Sequence, residues 1–444
     1  MDKEYLIRAK PLKALLVFAG PMIVGNLFQQ FYTMADSVVV GRFVGENALA
    51  AVGASYSFTN VFISIAIGGG VGASVLTGRY FGARDYKRMK VSACTALLSF
   101  LCVSLLLGAA GLVWGRQIMQ VLNTPADILP QAAEYLNIYF LGLPFLFMYN
   151  VLAAMFNALG RSRVPLYLLI FSSLFNIALD VILVRSFHLG VAGVAWATLI
   201  AQGISAVVAF CIFLRELKAY PAQGQTARFD PREFSRMCRI ALPSILQQST
   251  VSIGMMLVQS VVNGFGAQML AGYSAGMRVE SICVVPMAAM GNAISAYTAQ
   301  NLGAGRPDRV VQGYHTGYGI VFAFAAVLCV GLEVFYHPLM ALFLGDDGTA
   351  LAMDTGVSYL RFIGWFFALI GLKMITDGLL RGAGDMKWFT VANLVNLCIR
   401  VAVAVTLAPV WGIAMVWVAV PIGWAANYLI SFAEYRTGKW KRTI

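Results

Sequence analysis

Apolar runs of twenty or more residues recur from one end of this 444-residue chain to the other. A helix of about 20 such residues spans the roughly 30 Å hydrocarbon core of a bilayer. There the backbone must satisfy its own hydrogen bonds, so only helices and closed barrels are admissible. The apolar/polar alternation over about 10 residues that marks a barrel strand is absent. The expected class is an all-α polytopic membrane protein with twelve transmembrane helices in two six-helix bundles. The spans fall near 14–41, 49–78, 91–114, 130–158, 164–186, 190–215, 236–263, 269–300, 309–335, 352–380, 387–409 and 411–434. The first run is too long for a signal peptide and has no small-residue cleavage site after it, so it is expected to be retained.

A net charge of +12 could point to nucleic acid, but its distribution does not. Of the 32 basic residues, 25 lie in alternate loops and at the termini, from Lys3 and Arg8 through Arg84 and Arg232 to Lys441. The opposite loops hold only Arg42, Arg116 and Arg185, and four more, Arg278, Arg361, Lys373 and Arg400, lie inside spans. The positive-inside rule puts both termini in the cytoplasm and the chain in the cell membrane, with no nucleic-acid partner. The seven cysteines lack CxxC spacing and the three histidines lack partner motifs, so neither a disulfide framework nor a zinc site is expected.

The longest polar stretch, 216–235, divides the chain into an N-lobe at 1–215 and a C-lobe at 236–444. The halves repeat at an offset of 220 to 222: Pro21 answers Pro243, Gly82-Ala83 answers Gly303-Ala304, Gly160 answers Gly382, Asn176 answers Asn396 and Trp196 answers Trp417. That is an internal duplication. Six spans per half is an even number, so the copies share one orientation. Parallel repeats of this kind imply two bundles flanking a central cavity.

The first span is the most unusual segment. Asn26, Gln29, Gln30, Thr33, Asp36 and Ser37 fall within about a third of the helix circumference at about 100° per residue. Pro21 removes one backbone hydrogen bond just before this stripe and is the expected hinge. An acid within a membrane helix is functional by default.

AGPMI…FYTMADSVVVGRFVG, RYFGARD, NALGRSR, FNIALDVIL and VAGVAWATLIAQ, with QNLGAGR and LLRGAGD in the second half, resemble the multidrug and toxic compound extrusion (MATE) family over essentially all twelve spans. The resemblance implies a V-shaped secondary antiporter that exchanges organic, often cationic and amphipathic, compounds for Na⁺ or H⁺ and needs no cofactor beyond that ion. It also implies a cation site at Asp36, Asn176, Asp180 and Thr198, with Asp36 and Asp180 as the carboxylates for Na⁺ or H⁺.

The residues themselves lead to the same place. Asn176 and Asp180 are i and i+4 on span 5, and Thr198 on span 6 shares a face with Gln202. Carboxylate, amide and hydroxyl oxygens suit a hard cation, not zinc or copper. Tyr135 and Asn150 on span 4 are weaker candidates for the same shell. The duplication supplies a control: Asp180 is answered by Arg400, Thr198 by Ala419 and Asp36 by Leu257 or Val258. The second half therefore cannot build the same site, and one coupling-ion site is expected.

The C-half charges are less specific. Lys373 and Asp377 are i, i+4 and can pair on their own helix. Glu280 and Asp377 are candidates for the substrate cavity, together with Gln29, Thr33, Met34, Met256 and Tyr273, since methionine suits promiscuous walls. The surplus of basic groups also accommodates an anionic or lipid-linked cargo. No HExxH motif or phosphate-cradling loop is present, so an enzyme is not expected. The expected partners are a small organic substrate, a coupling cation and membrane lipid, with a monomer as the working unit.

Overall fold

The computed structural model describes residues 4–44, 46–121, 124–125, 128–221, 227–345 and 348–441, with the side chains of 35–43, 46–50 and 57 set aside. Among the described residues every regular element is helical. The α-helices are α1 (Tyr5–Arg8), α2 (Pro11–Phe43), α3 (Glu46–Gly82), α4 (Tyr86–Val121), α5 (Leu129–Ala158), α6 (Arg163–Val181), α7 (Gly190–Lys218), α8 (Pro231–Asn263), α9 (Ala267–Gly303), α10 (Pro307–Leu344), α11 (Ala350–Gly364), α12 (Phe367–Ala383), α13 (Met386–Trp411) and α14 (Ala414–Thr437). Eleven are long and apolar enough to cross a membrane, and α11 with α12 forms a twelfth span bent by 55°. The chain is a multi-pass membrane protein. The sequence reads 352–380 as one uninterrupted span; the structure breaks it at Trp365-Phe366. Trp365 Nε1 and Arg361 Nε donate to the two carboxylate oxygens of Glu333 on α10 at 3.1 and 3.0 Å. Arg361, an in-span charge in the sequence, thus has its counterion on the neighbouring helix.

By contact the chain forms two compact units, Val24–Ile245 and Met1–Ile23 with Leu246–Ile444. These do not coincide with the sequence halves at 1–215 and 236–444. Each boundary falls inside a helix, two residues after Pro21 in α2 and two after Pro243 in α8. A helix interrupted by proline has lost a backbone bond at that turn, so its two ends can join different packing environments. α7 runs into the 216–235 stretch, and α8 begins within it at Pro231.

In Val24–Ile245, α5 packs against α3, α4 and α7. Its core is aromatic: Phe62 meets Phe58 and Phe140 edge to face at 5.2 and 5.5 Å. Glycines bring α3 onto α8, and a Cβ on Gly68 would lie 2.7 Å from the Ile245 backbone. Tyr80 Oη on α3 donates to Glu233 at 2.9 Å and holds the start of α8.

In the other unit α9 packs against α10, α11 and α12. Arg309 Nη2 donates to the Ala9 carbonyl at 2.7 Å and Asn301 Nδ2 to the Leu6 carbonyl at 3.1 Å, which ties down the segment ahead of α2. The turns after α5 and α12 match closely, with Gly160 at φ 76° and Gly384 at φ 79°. Arg161 N–H bonds the Phe156 carbonyl and Asp385 N–H the Leu380 carbonyl in the same pattern. Gly160 is therefore answered by Gly384, not by Gly382. Only glycine accepts this left-handed conformation at no steric cost, which is why the turn identifies the pair better than letter matching does.

Asp385, in the second of these turns, lies beside Glu434. Burial first, then the Glu434 carboxylate, push the Asp385 carboxyl from 3.8 up to about 6 against the opposing pull of Lys439. A folded pKa above the unfolded one means that between about pH 4 and 6 the folded state keeps a proton the unfolded chain has released. Stability then falls as pH rises through that window and levels off above it. Asp385→Asn is expected to flatten this slope, to match the parent at pH 4 and to exceed it at pH 7. Thermal unfolding in detergent across pH 4–8 checks this, and an unchanged slope contradicts it.

Candidate functional site

Asn176 is the centre of a polar cluster in Val24–Ile245. In the amide orientation that satisfies both ends, its Nδ2 donates to Asp180 Oδ2 at 3.1 Å and to Tyr32 Oη at 2.6 Å. Its Oδ1 accepts the Thr198 N–H at 3.0 Å. Thr198 Oγ1 donates to the Val194 carbonyl at 3.1 Å. Three helices thus meet: α6 supplies Asn176 and Asp180, α7 supplies Thr198 and α2 supplies Tyr32. Asn176 and Asp180 are 2% and 0% exposed. Two residues beyond Asp180 the helix loosens into a π-helical turn, Ile182–Ser186, an element frequent at functional sites. A fully buried carboxylate at membrane depth costs about 2.5–3.5 kcal/mol on insertion scales. A bound proton or a hard cation removes that cost.

Thr198 also lines a small cleft between α5 and α7, with Tyr135, Tyr139, Gly142, Leu146, Ala195, Leu199 and Gln202. The structure thus sets Tyr135 on the cleft beside Thr198. Asn150 Nδ2 turns back to its own helix and donates to the Leu146 carbonyl at 2.8 Å. Asp36 lies on α2, but its side chain is outside the described residues, as is that of Ser37. Gln29, Thr33 and Met34 are exposed on α2, with Thr33 Oγ1 bonded to the Gln29 carbonyl at 2.9 Å. Tyr32 is not among the site residues read from the sequence. The signal for its larger role was its place one turn before Asp36.

The C-half candidates scatter. Met256 is exposed on α8. Tyr273 is buried, with its ring 5.3 Å from that of Tyr359. Tyr359 Oη donates to Glu280, which also feels the Arg400 guanidinium. Tyr139, 220 positions before Tyr359, donates to the Thr59 carbonyl at 3.3 Å, and Thr59 lies 221 positions before Glu280. The C half therefore carries an acid where the N half has threonine, and a base, Arg400, where the N half has Asp180. Asp377 forms an ion pair with Lys373 at 3.2 Å.

The family model described as MatE matches residues 21–182 and 243–406. This chain belongs to the MatE family. The two matched segments begin at the paired prolines, so each half of this MATE chain is one copy of the family unit. The "Probable multidrug resistance protein YpnP" of Bacillus subtilis is 29% identical over 97% of this chain and 96% of its own length. An "FAD transporter" of Shewanella oneidensis is 25% identical over 78% of this chain and 77% of its own. A solved MOP superfamily transporter from Pyrococcus furiosus superposes with a TM-score of 0.91 at 23% identity, covering 100% of this chain and 99% of that one. MATE proteins are transporters of the multidrug efflux class, and the two-lobe MATE fold accounts for the twelve spans seen here.

Proposed function

We propose that this MATE protein is a secondary antiporter of the cell membrane, coupled to H⁺ or Na⁺, that exports organic, amphipathic cationic compounds by alternating access. The observation that carries the reading is the buried Asp180 carboxylate, held by Asn176 within a ring completed by Thr198 and Tyr32. Asp36 is the second carboxylate, one turn beyond Tyr32. Two acids near one another repel when both are ionised, so they share a proton or give it up to Na⁺. Either event changes the charge beside α2, whose weakest turn is at Pro21, and bending there reshapes the N-terminal cavity. The working unit is a monomer with both termini in the cytoplasm.

The test is transport in proteoliposomes under an imposed pH or Na⁺ gradient, one at a time, with a fluorescent organic cation as cargo. Uptake driven by neither gradient rejects the reading. Tyr32→Phe keeps the ring and removes one hydrogen bond to Asn176. It is expected to weaken the apparent affinity for the coupling ion about tenfold, from a bond of about 1.5 kcal/mol, and a gradient titration of transport measures this.

A second reading has an anionic or lipid-linked cargo. It is favoured by the exposed Arg278 on α9, by Arg400 in place of an acid, and by the relative described as an FAD transporter. Movement of an anionic probe with none of the cationic dye would decide for it.

A further inference from the structure

The unit formed by Met1–Ile23 and Leu246–Ile444 contains a second assembly of carboxylate, amide and hydroxyl, at positions unrelated by the repeat to Asp180, Asn176 and Thr198. Asp377 on α12 accepts from Ser431 Oγ on α14 at 2.9 Å and from Asn393 Nδ2 on α13 at 3.3 Å. Lys373, one turn before Asp377, reaches into the middle of this set. Its Nζ is 3.2 Å from Asp377 Oδ2 and 3.4 Å from Asn393 Oδ1, and the Lys373 and Asp377 side chains are only 6% and 8% exposed. An ammonium has three donors, and the described partners take two. Asn427, one turn from Ser431 on the same face of α14, is fully buried with no hydrogen-bond partner on either amide atom among the described residues. The assembly thus has more oxygen ligands than its lysine uses.

We propose that Lys373 is a resident counterion in a latent monovalent-cation site. Its ammonium stands where a free Na⁺-sized cation is otherwise held by Asp377, Asn393 and Ser431. The oxygen donors are those a hard cation takes, and three helices converge on them. A tethered cation never dissociates, so this unit keeps its acid neutralised at any ion concentration. The bases acting on these acids lie in the C half: Lys373 pairs with Asp377, on which Arg381 also acts, and Arg400 acts on Glu280.

The experiment uses the full chain in detergent. Thermal unfolding is followed in NaCl and in N-methylglucamine chloride at equal ionic strength, and with ethylammonium chloride as a second probe. The parent sets the baseline shift, which includes any Na⁺ bound by the N half. Lys373→Ala is expected to add a further Na⁺-dependent rise in Tm of about 3 °C, with ethylammonium acting in the same direction. The gain is expected to vanish in the double variant Lys373→Ala with Asp377→Asn. Where Lys373→Ala does not accumulate, Lys373→Gln, which fills more of the space, is read in its place. A shift equal to the parent's overturns the proposal. So does a shift that survives Asp377→Asn, and so does failure of both single variants to accumulate in cells, where Na⁺ and K⁺ are abundant.

Discussion

Asp180→Asn is expected to abolish gradient-driven efflux, by about two orders of magnitude, while the protein folds and accumulates normally. The carboxylate offers the coupling ion charge-assisted interactions worth about 1.5–3 kcal/mol each, and each 1.4 kcal/mol is a factor of ten. The amide keeps the shape, and it can still bond Asn176, whose Nδ2 now donates to Asp180 Oδ2 at 3.1 Å. Folding should therefore not suffer, and removing a buried carboxyl should leave Tm unchanged or higher. Proteoliposome efflux under each gradient, with Tm measured on the same preparation, separates the two effects. Full efflux from this variant would remove Asp180 from the mechanism. Loss of efflux with a collapsed Tm would show a structural role instead.

Gly382→Leu is expected to prevent accumulation of folded protein. On α12, Gly378 and Gly382 lie on one face, and a Cβ on either would fall far inside contact with the Gly291 and Ser295 carbonyls of α9. Gly291 answers from the other side, where a Cβ would sit 2.7 Å from the Met374 carbonyl. Small residues four apart let the two backbones touch, which is how membrane helices pack when lipid supplies no hydrophobic drive between them. Backbone cannot yield as a flexible side chain can, so the overpacking cost is at least about 3 kcal/mol. Gly319→Ala and Gly331→Ala, on α10, have nothing within 4 Å of the new carbon and serve as neutral controls. Fluorescence-detected size exclusion of the three variants decides the matter. A monodisperse Gly382→Leu peak at parental height would contradict the close α9–α12 contact.

Much of this architecture could be read in the letters. Twelve spans follow from run length because the bilayer imposes it. The duplication follows from paired prolines, glycines and asparagines. Asn176 and Asp180 share a face by helical spacing alone, and the oxygen chemistry of the set follows from residue type. The i, i+4 spacing of Lys373 and Asp377 likewise anticipated their pairing. Other features had no signal of that kind. That Tyr32 supplies the hydroxyl beside Asn176 depends on how α2 rotates against α6. That Tyr273 is buried and Asn150 turns back on its own helix depends on neighbours far away in the chain. That Arg361 and Trp365, at the break, both meet Glu333 about thirty positions earlier depends on how α10 lies against α11.

The sequence by itself determined the class, the span count, the repeat and the asymmetry of charge between its copies, because each rests on local periodicity or on composition within one helix. Only the tertiary structure decided which polar groups on different helices meet and where the two packing units divide within α2 and α8. Those are matters of helix rotation and register, set by glycine contacts and aromatic packing among helices distant in sequence, and no spacing along one helix encodes them.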